Sequence, residues 1–359
     1  MIRTYLDHAA TTPLRPQARA ALEDGWRLWA NPSSPHAQGR AARRALEDAR
    51  ERIKAALGWT GELVFTSGAS EAAALALGNA TAGSRLVSAV EHDAVLQAGP
   101  GAAILPVAAD GALDLAILER ELAAADDPLV AVQSVNSETG NRQSLGHIAD
   151  RIRAAGGLLL VDHAQGAGKC PLEGAPDLAI ISAHKFGGPV GIGALLVRDW
   201  ALLRPTGGQE RGYRRGTENL PGALAMAAAL DACTQPYTAE PVADLLEIFS
   251  AEVRAVGGVW LDDKLGAPSA HIHALAMPGL SATAQLMRLD LAGIAVSQGS
   301  ACSSGSLRTS HVLAAIGLPD DVARRTIRIS LGWNTTRADV QRFCEAWLGM
   351  ARAAGAQAA

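Results

Sequence analysis

The chain has little cysteine, and its cysteines are far apart. Of 359 residues only four are cysteines, and none forms a Cys-x-x-Cys pair. That spacing is not typical of a structural zinc site, and it gives no disulfide framework in a chain of this size. His271 and His273 would share one face of a strand, but no third candidate ligand lies nearby in sequence. We therefore expect no metal site.

Long apolar runs and blocks of one charge are also missing. No apolar run approaches the ~20 residues of a membrane span, and the first residues lack the apolar core of a signal peptide. The net charge is −4, and no Lys/Arg run stands out. We therefore expect a cytoplasmic protein with neither a membrane nor a nucleic acid as a direct partner.

Hydrophobic residues make up 48% of the chain, and many of them occur in short runs that alternate with helical segments. The runs predict strands at Glu62–Phe65, Arg85–Ser88, Leu129–Gln133, Leu158–Val161, Asp177–Ile181 and Gly193–Val197. Such alternation predicts a mostly parallel sheet covered on both faces, in which ligands bind beyond the carboxyl ends of the strands. We predict a large α/β domain over residues 14–240, and a small α+β domain formed by 1–13 and 241–359.

A lysine follows directly behind one of these runs, in Ser182-Ala-His-Lys185. Burial disfavours the charged form of a lysine and can lower its pKa by several units. A lowered pKa is what a lysine needs to form a Schiff base with an aldehyde cofactor. The alternative is a lysine whose stem extends from the strand end into solvent. The tetrapeptide alone leaves both open.

Residues at other strand ends favour a lysine that forms a Schiff base. The segment Thr66–Glu71 follows a strand and opens a helix, where free N–H groups favour an anion such as phosphate, although a plain N-cap is the alternative. Asp162 ends another strand, and a carboxylate there could hold a protonated pyridine nitrogen. His92 also ends a strand and could stack on a ring or carry a proton. Together with Lys185, these features predict a pyridoxal 5'-phosphate site.

Cys302 lies in a polar stretch, Val296–Leu307, with few apolar anchors. We expect an exposed, mobile loop there, in which a thiol is a candidate nucleophile. The other cysteines, Cys170, Cys233 and Cys344, are expected to pack in strands or helices.

Short motifs over nearly the whole chain are more specific. In order they are Tyr5–Pro13, Asn31–Ser34, Phe65–Glu71, Glu91–His92, Glu138–Gly140, Asp162–Gln165, Ser182–Lys185, Gly207–Gly212, Arg215–Asn219, Gly299–Cys302 and Ile327–Gly332. Their sequence and order resemble those of the group I cysteine desulfurases, the NifS/IscS-like branch of the class V aminotransferases. The resemblance implies fold type I of the pyridoxal phosphate enzymes, with a mostly parallel seven-stranded sheet.

The resemblance also implies roles for individual residues. Lys185 would form the Schiff base, Cys302 the persulfide, and His92 would stack on the cofactor ring. Asp162 would pair with the pyridine nitrogen, and Gln165 would lie near the phenolic oxygen. The remaining cofactor-binding residues would be Ala69, Ser70, Ser137, Ser182, His184 and Thr217.

Substrate binding and assembly follow from the same resemblance. Arg328 would bind the substrate carboxylate, a task that suits a bidentate guanidinium, and Asn31 would line the same pocket. Thr217 would be supplied by the other subunit, which implies a homodimer with shared active sites.

The implied reaction converts L-cysteine to L-alanine and passes sulfane sulfur through a Cys302 persulfide to an acceptor protein. Iron–sulfur cluster assembly, tRNA thiolation and molybdenum-cofactor sulfuration all stay open as its destination. The alternatives are a selenocysteine lyase, another class V aminotransferase, which would not need Cys302, and a sulfur-transfer partner without catalysis.

Two departures from the family pattern bear on these expectations. Ser137 stands where the family usually has a second asparagine, and its hydroxyl reaches less far toward the cofactor. The chain also ends soon after Met350, without the extension that iron–sulfur members use to dock their scaffold. The first departure bears on how the chain contacts the cofactor, and the second bears on which protein accepts the sulfur.

Overall fold

The structure, a computed structural model, describes residues 3–235, 237–299 and 310–358. Its strands are β1 Thr4–Tyr5, β2 Glu62–Thr66, β3 Arg85–Ser88, β4 Ala103–Leu105, β5 Leu129–Gln133, β6 Leu158–Asp162, β7 Leu178–Ser182, β8 Gly193–Val197, β9 Val259–Trp260, β10 Ile272–Ala276, β11 Ile294–Ala295 and β12 Thr326–Ser330. Its α-helices are α1 Pro16–Arg27, α2 Ala37–Leu57, α3 Ala69–Asn79, α4 Asp93–Ala98, α5 Leu115–Ala124, α6 Leu145–Ala154, α7 Leu220–Asp231, α8 Ala243–Ala255, α9 Ala282–Leu291, α10 His311–Ala315, α11 Asp320–Ala323 and α12 Arg337–Ala358.

The largest sheet has seven strands in the order β2-β8-β7-β6-β5-β3-β4. The pairs from β4 through β7 are parallel, whereas β8 runs antiparallel to both β2 and β7. The predicted mostly parallel, seven-stranded sheet is confirmed. The apolar runs did not reveal β4, because this three-residue edge strand leaves Ala103 and Ile104 exposed.

Alternate residues of the inner strands enter two different cores, because side chains of a strand point to opposite faces. In β7, Ala179 and Ile181 pack into one core, and Leu178 and Ile180 pack into the other. Helices cover both faces of the sheet, with α2 and α7 in the first core and α3 in the second. Burial on both faces explains why these strands are near-continuous apolar runs.

A second group of elements forms around a smaller antiparallel sheet, β12-β10-β9. Its core contains Phe249, Phe343 and Trp347, whose rings pack edge to face, and it also contains Leu6 from near the amino terminus. The short strand β1 reaches this group by pairing in parallel with β11. The domain boundaries given above stay a prediction. Within the described residues, no helix combines the length and apolarity needed to cross a bilayer.

Candidate active site

A cavity of about 480 Å³ opens where β5, β6 and β7 reach their carboxyl ends. Most of the predicted site residues line it. They are Ala69, Ser70, His92, Ser137, Asp162, Gln165, Ser182, His184 and Lys185. The sheet topology thus gathers residues that are spread over more than a hundred positions of the sequence.

Lys185 ends a 3₁₀ turn, Ala183–Lys185, that follows β7 directly. Its half-buried amine donates hydrogen bonds to the backbone carbonyls of Ala9 (2.8 Å) and Ala10 (3.0 Å). The Thr12 hydroxyl in turn donates to the Lys185 carbonyl over 3.0 Å. The segment after β1 therefore holds both the turn and its amine at the wall of the cavity.

Asp162 is the last residue of β6, and its Oδ1 accepts a hydrogen bond from the Ala164 N–H over 2.9 Å. Burial raises the pKa of this carboxyl group, whereas the Ala164 N–H and the positive charges of His92 and Lys185 lower it. A cationic ring nitrogen in the cavity would supply the counter-charge that this carboxylate needs.

Glu91 stands close to Asp162 and is fully buried. Burial, followed by the negative charge of Asp162, raises its pKa well above the usual value, although the Gln133 N–H bound to Oε1 over 2.6 Å acts in the opposite direction. Within the described chain its Oε2 has no hydrogen-bond partner. Glu91 is thus a buried acid close to Asp162 with a raised pKa, and the sequence analysis noticed it only as part of a motif.

Two histidines at the cavity are fixed by their neighbours. His92 caps α4, and its Nδ1 accepts from the Ala94 N–H over 3.1 Å, so the neutral ring carries its proton on Nε2. His184 Nδ1 lies 3.2 Å from Thr11 Oγ1. Burial, helped by the positive charges of Lys185 and Lys169, lowers the pKa of His184 to about 4, so its ring is neutral at pH 7.

The start of α3 also lines the first cavity. Its N-cap is Gly68, which offers no side chain to the free N–H groups of the first turn. Gly68 has a φ of 156°, and a Cβ at this position would lie 3.8 Å from Ser182 Oγ, in the space between α3 and β7. Free N–H groups and hydroxyls around this space fit a phosphate group.

Arg328 lies on β12 at a second cavity of about 370 Å³, which Glu138 and Ser310 also line. Its guanidinium is 3% exposed and donates to the Ser137 carbonyl (2.6 Å) and to Asp7 Oδ1 (2.8 Å). Ser137 lines the first cavity, so the hydrogen bond between Arg328 and Ser137 connects residues of the two cavities. Among the described atoms, Arg328 Nε has no partner.

Other predicted residues lie elsewhere. Thr217 and Asn31 are exposed and do not line either cavity of their own chain. Asn31 Oδ1 accepts from the Ser33 N–H over 2.9 Å. Cys302 lies outside the described residues. The roles given to these three residues stay predictions.

Asn136 is a residue that the sequence analysis missed. Its Oδ1 accepts from the N–H groups of Glu138 (2.9 Å) and Thr139 (2.8 Å), and its Nδ2 donates to the Val90 carbonyl over 3.1 Å. These bonds shape the turn that presents Ser137. The tendency of asparagine to bind backbone N–H groups two residues on is the signal that could have revealed it.

The sequence and the fold match those of known proteins. The sequence profile of the aminotransferase class-V family matches residues 4–343. The chain therefore belongs to this family of pyridoxal-phosphate enzymes, and the predicted cofactor and the prediction of an enzyme are confirmed.

The curated relatives give the branch of the family. A cysteine desulfurase of Cereibacter sphaeroides is 38% identical, over 96% of this chain and 95% of the relative. The cysteine desulfurase IscS of Dictyoglomus turgidum is 35% identical, over 94% and 91%. The NifS-like protein of Rickettsia africae has a solved structure with a TM-score of 0.87 at 29% identity, covering 97% of this chain and 99% of that one. The chain belongs to the cysteine desulfurase branch, as the motifs predicted.

Proposed function

We propose that the chain converts free L-cysteine to L-alanine and transfers the sulfane sulfur from Cys302 to an acceptor protein. The observation that carries the proposal is the gathering of Lys185, Asp162, His92 and the α3 amino terminus around one cavity. A solved structure with a TM-score of 0.79 at 29% identity, described as SspA in complex with cysteine, supports cysteine as the substrate.

The lining of the cavity fits pyridoxal phosphate. Bound there, the cofactor supplies an aldehyde for amines and a ring that withdraws electrons from the substrate Cα. Asp162 would hold the ring nitrogen, the start of α3 with Ser182 would hold the phosphate, and His92 would stack on the ring. Lys185, whose amine already reaches the cavity wall, would remove the proton from the substrate Cα.

Arg328 would fix the substrate carboxylate. In the structure its guanidinium is bound by Asp7 and by the Ser137 carbonyl, which set its orientation before substrate arrives. Because Asp7 and Ser137 already fix the buried guanidinium, the side chain of Arg328 would lose little conformational freedom when the substrate binds. Asn31 would line the same pocket.

The sulfur step would use the thiolate of Cys302. Its sulfur attacks the substrate sulfur, so that an S–S bond forms while the Cβ–S bond of the substrate breaks. The electron pair of the broken bond leaves with the carbon skeleton, which takes up a proton at Cβ and becomes alanine. No external oxidant is needed, since the Cys302 sulfur is oxidised to a persulfide while the substrate carbon is reduced.

We also propose a homodimer in which Thr217 completes the phosphate site of the partner subunit. The exposure of Thr217, outside its own chain's cavity, supports this arrangement. A cytoplasmic location and delivery to iron–sulfur cluster assembly, tRNA thiolation or molybdenum-cofactor sulfuration are part of the same proposal. Capture of partners by the persulfide-loaded enzyme would separate these acceptors.

The deciding experiment replaces Cys302 with Ala and measures alanine formed from cysteine together with the absorbance of the bound cofactor. We expect alanine formation to be lost and the absorbance to be retained. Cys170→Ala is the matched control, because burial raises the pKa of the Cys170 thiol and makes it a poor nucleophile. Retained alanine formation in Cys302→Ala would favour a selenocysteine lyase or another class V reaction.

A further inference from the structure

Lys169 is a second lysine close to the site, in the turn segment after β6. The sequence has only four lysines, and Lys169 is 7% exposed. Its Nζ donates to Gln165 Oε1 over 3.2 Å and lies 5.4 Å from the ring centroid of Tyr237. Within the described residues the amine forms no salt bridge. An ammonium group buried without a counter-charge is costly, so packing alone does not explain a lysine here.

The surroundings of Lys169 confirm this cost. Burial, followed by the positive charge of Lys185, lowers its pKa to about 7. The titratable and charged groups that face it are Lys185, Arg328, Cys170, Cys233, His8, His163, His184, His271 and the ring of Tyr237. Perturbed groups of this kind concentrate at functional sites.

A short chain of hydrogen bonds joins Lys169 to Lys185. Gln165 lines the cavity, and its Nε2 donates to the Ala9 carbonyl over 2.8 Å. The same carbonyl accepts from Lys185 Nζ over 2.8 Å. Lys169 thus contacts Gln165, and both Gln165 and Lys185 donate to the same carbonyl of Ala9.

The chemistry of the contact fixes the orientation of the Gln165 carboxamide. An amide can bind with either its oxygen or its NH₂ group toward a neighbour. The ammonium form of Lys169 is donor-only, and its amine is the donor in this contact, so Gln165 Oε1 has to face it. The Ala9 carbonyl is acceptor-only and independently requires the NH₂ group on its side. Lys169 and Ala9 therefore hold the two ends of the same carboxamide, and the second N–H is left for the cavity.

We propose that Lys169 is a positioning residue, which locks the Gln165 carboxamide so that its N–H groups face the bound cofactor and the Ala9 carbonyl that holds Lys185. The proposal rests on the proposed function, together with the family resemblance that implies a place for Gln165 near the phenolic oxygen of the cofactor.

A double-mutant cycle tests whether Lys169 acts through Gln165. Lys169→Met keeps the length of the side chain and removes the donor. On the holoenzyme we expect it to lower kcat roughly tenfold, with a smaller change in KM, because the loosened amide no longer holds its donor toward the ring. The pH midpoint of the cofactor absorbance should shift as well, by about one unit. Gln165→Ala should lower kcat and shift the pH midpoint in the same way. The double variant should have a kcat no lower than that of Gln165→Ala, because both changes act through the same amide. The exposed Lys264→Met is the control.

Additive losses in the double variant would overturn the proposal, as would a wild-type spectrum and kcat in Lys169→Met. Repeating the spectral cycle in the Cys302→Ala background separates this proposal from the proposed function, since the cofactor spectrum does not depend on the Cys302 thiol. If the spectral effects of Lys169→Met and Gln165→Ala are non-additive in that background while desulfuration is unimpaired, the role of Lys169 is supported and the proposed function is refuted.

A second measurement does not require Lys169 variants to fold. With four lysines in the chain, ¹³C labelling of the lysine ε-carbons gives few signals. We expect one to titrate near pH 7 in the full-length protein and its midpoint to fall in Gln165→Ala, because the lost acceptor favoured the charged amine. An unchanged midpoint in Gln165→Ala would overturn the proposed contact.

Discussion

Glu91 shows at the residue scale how its surroundings can favour the neutral form of an acid. Among the residues that the structure describes it forms no salt bridge, it is fully buried, and the nearby charge of Asp162 adds to the effect of burial on its pKa. Its neutral form would add no second negative charge beside Asp162.

The raised pKa of Glu91 makes the stability of the protein depend on pH. Above the usual value of 4.5, the folded protein keeps a proton that the unfolded chain has lost, so the free energy of unfolding falls as pH rises toward the folded pKa. Glu91→Gln removes this proton difference. Chemical denaturation between about pH 5 and 8 should show a smaller loss of stability in the variant. Equal slopes of unfolding free energy against pH in the wild type and in Glu91→Gln would contradict the raised pKa of Glu91. The control is the exposed Glu23→Gln, which should leave this slope unchanged.

Arg328 gives a second prediction at this scale. A lysine can replace its charge but not its two-pronged hydrogen bonding to Asp7 and Ser137. We expect Arg328→Lys to raise KM for cysteine by roughly tenfold or more, with an unchanged cofactor spectrum. The control is Arg324→Lys, an exposed arginine at the same cavity. A KM equal to that of the wild type would exclude Arg328 as the carboxylate ligand.

At the scale of elements, one buried ion pair connects α2, β2 and the loop before Thr217. Arg50 of α2 binds both carboxylate oxygens of Glu210, at 2.9 and 3.1 Å, and Glu210 also accepts from the Phe65 N–H of β2 over 2.8 Å. Glu210 and Arg211 have positive φ values of 47° and 56°, which are unfavourable for side-chain-bearing residues. The ion pair holds this strained loop against the sheet.

Breaking this pair should destabilise the protein strongly. Arg50→Met leaves the buried Glu210 carboxylate without its counter-charge, at a cost of about 3–5 kcal/mol in unfolding free energy. Glu210→Ala should cost less, because Arg50 keeps a second carboxylate, Glu47, 3.1 Å away. The double variant should cost less than the sum of the two, because no lone charge remains. The exposed pair of Arg254 and Asp263 is the control, and its removal should change stability far less. Additive single losses would show that the two side chains act independently.

At the scale of the whole molecule, the proposed sharing of Thr217 between subunits can be tested with mixed dimers. Lys185→Ala removes the amine, and Thr217→Glu places a negative charge where the phosphate would bind. If Thr217 serves the partner's site, a co-expressed mixed dimer has one site with both changes and one with neither. We expect a statistical mixture to regain roughly a quarter of wild-type activity, since half of the dimers each carry one intact site.

The pairing of Lys185→Ala with Asp162→Ala is the control for this experiment, because both residues line the cavity of one chain. That mixture should stay inactive. Failure of the Thr217→Glu mixture to regain activity would mean that Thr217 acts in its own subunit, whereas full activity of Thr217→Glu by itself would mean that Thr217 has no role.

The fold class and most of the cavity-lining residues could be predicted from the amino-acid sequence alone. The apolar runs revealed the six longer strands of the main sheet because these strands are buried on both faces, whereas the exposed edge strand β4 has no such signal. Lys185 and Asp162 could be found because strand ends of a parallel sheet meet at one edge, so their place follows from local pattern alone.

Which distant groups meet depends on the tertiary structure. The binding of Lys185 by the Ala9 carbonyl and the pairing of Arg328 with Asp7 depend on how the segment after β1 and the small sheet pack against the large sheet. The closeness of Glu91 to Asp162 depends on the order of the strands in the large sheet. Such contacts leave no periodicity in the sequence, because burial and charge act between residues that only the packed fold brings together.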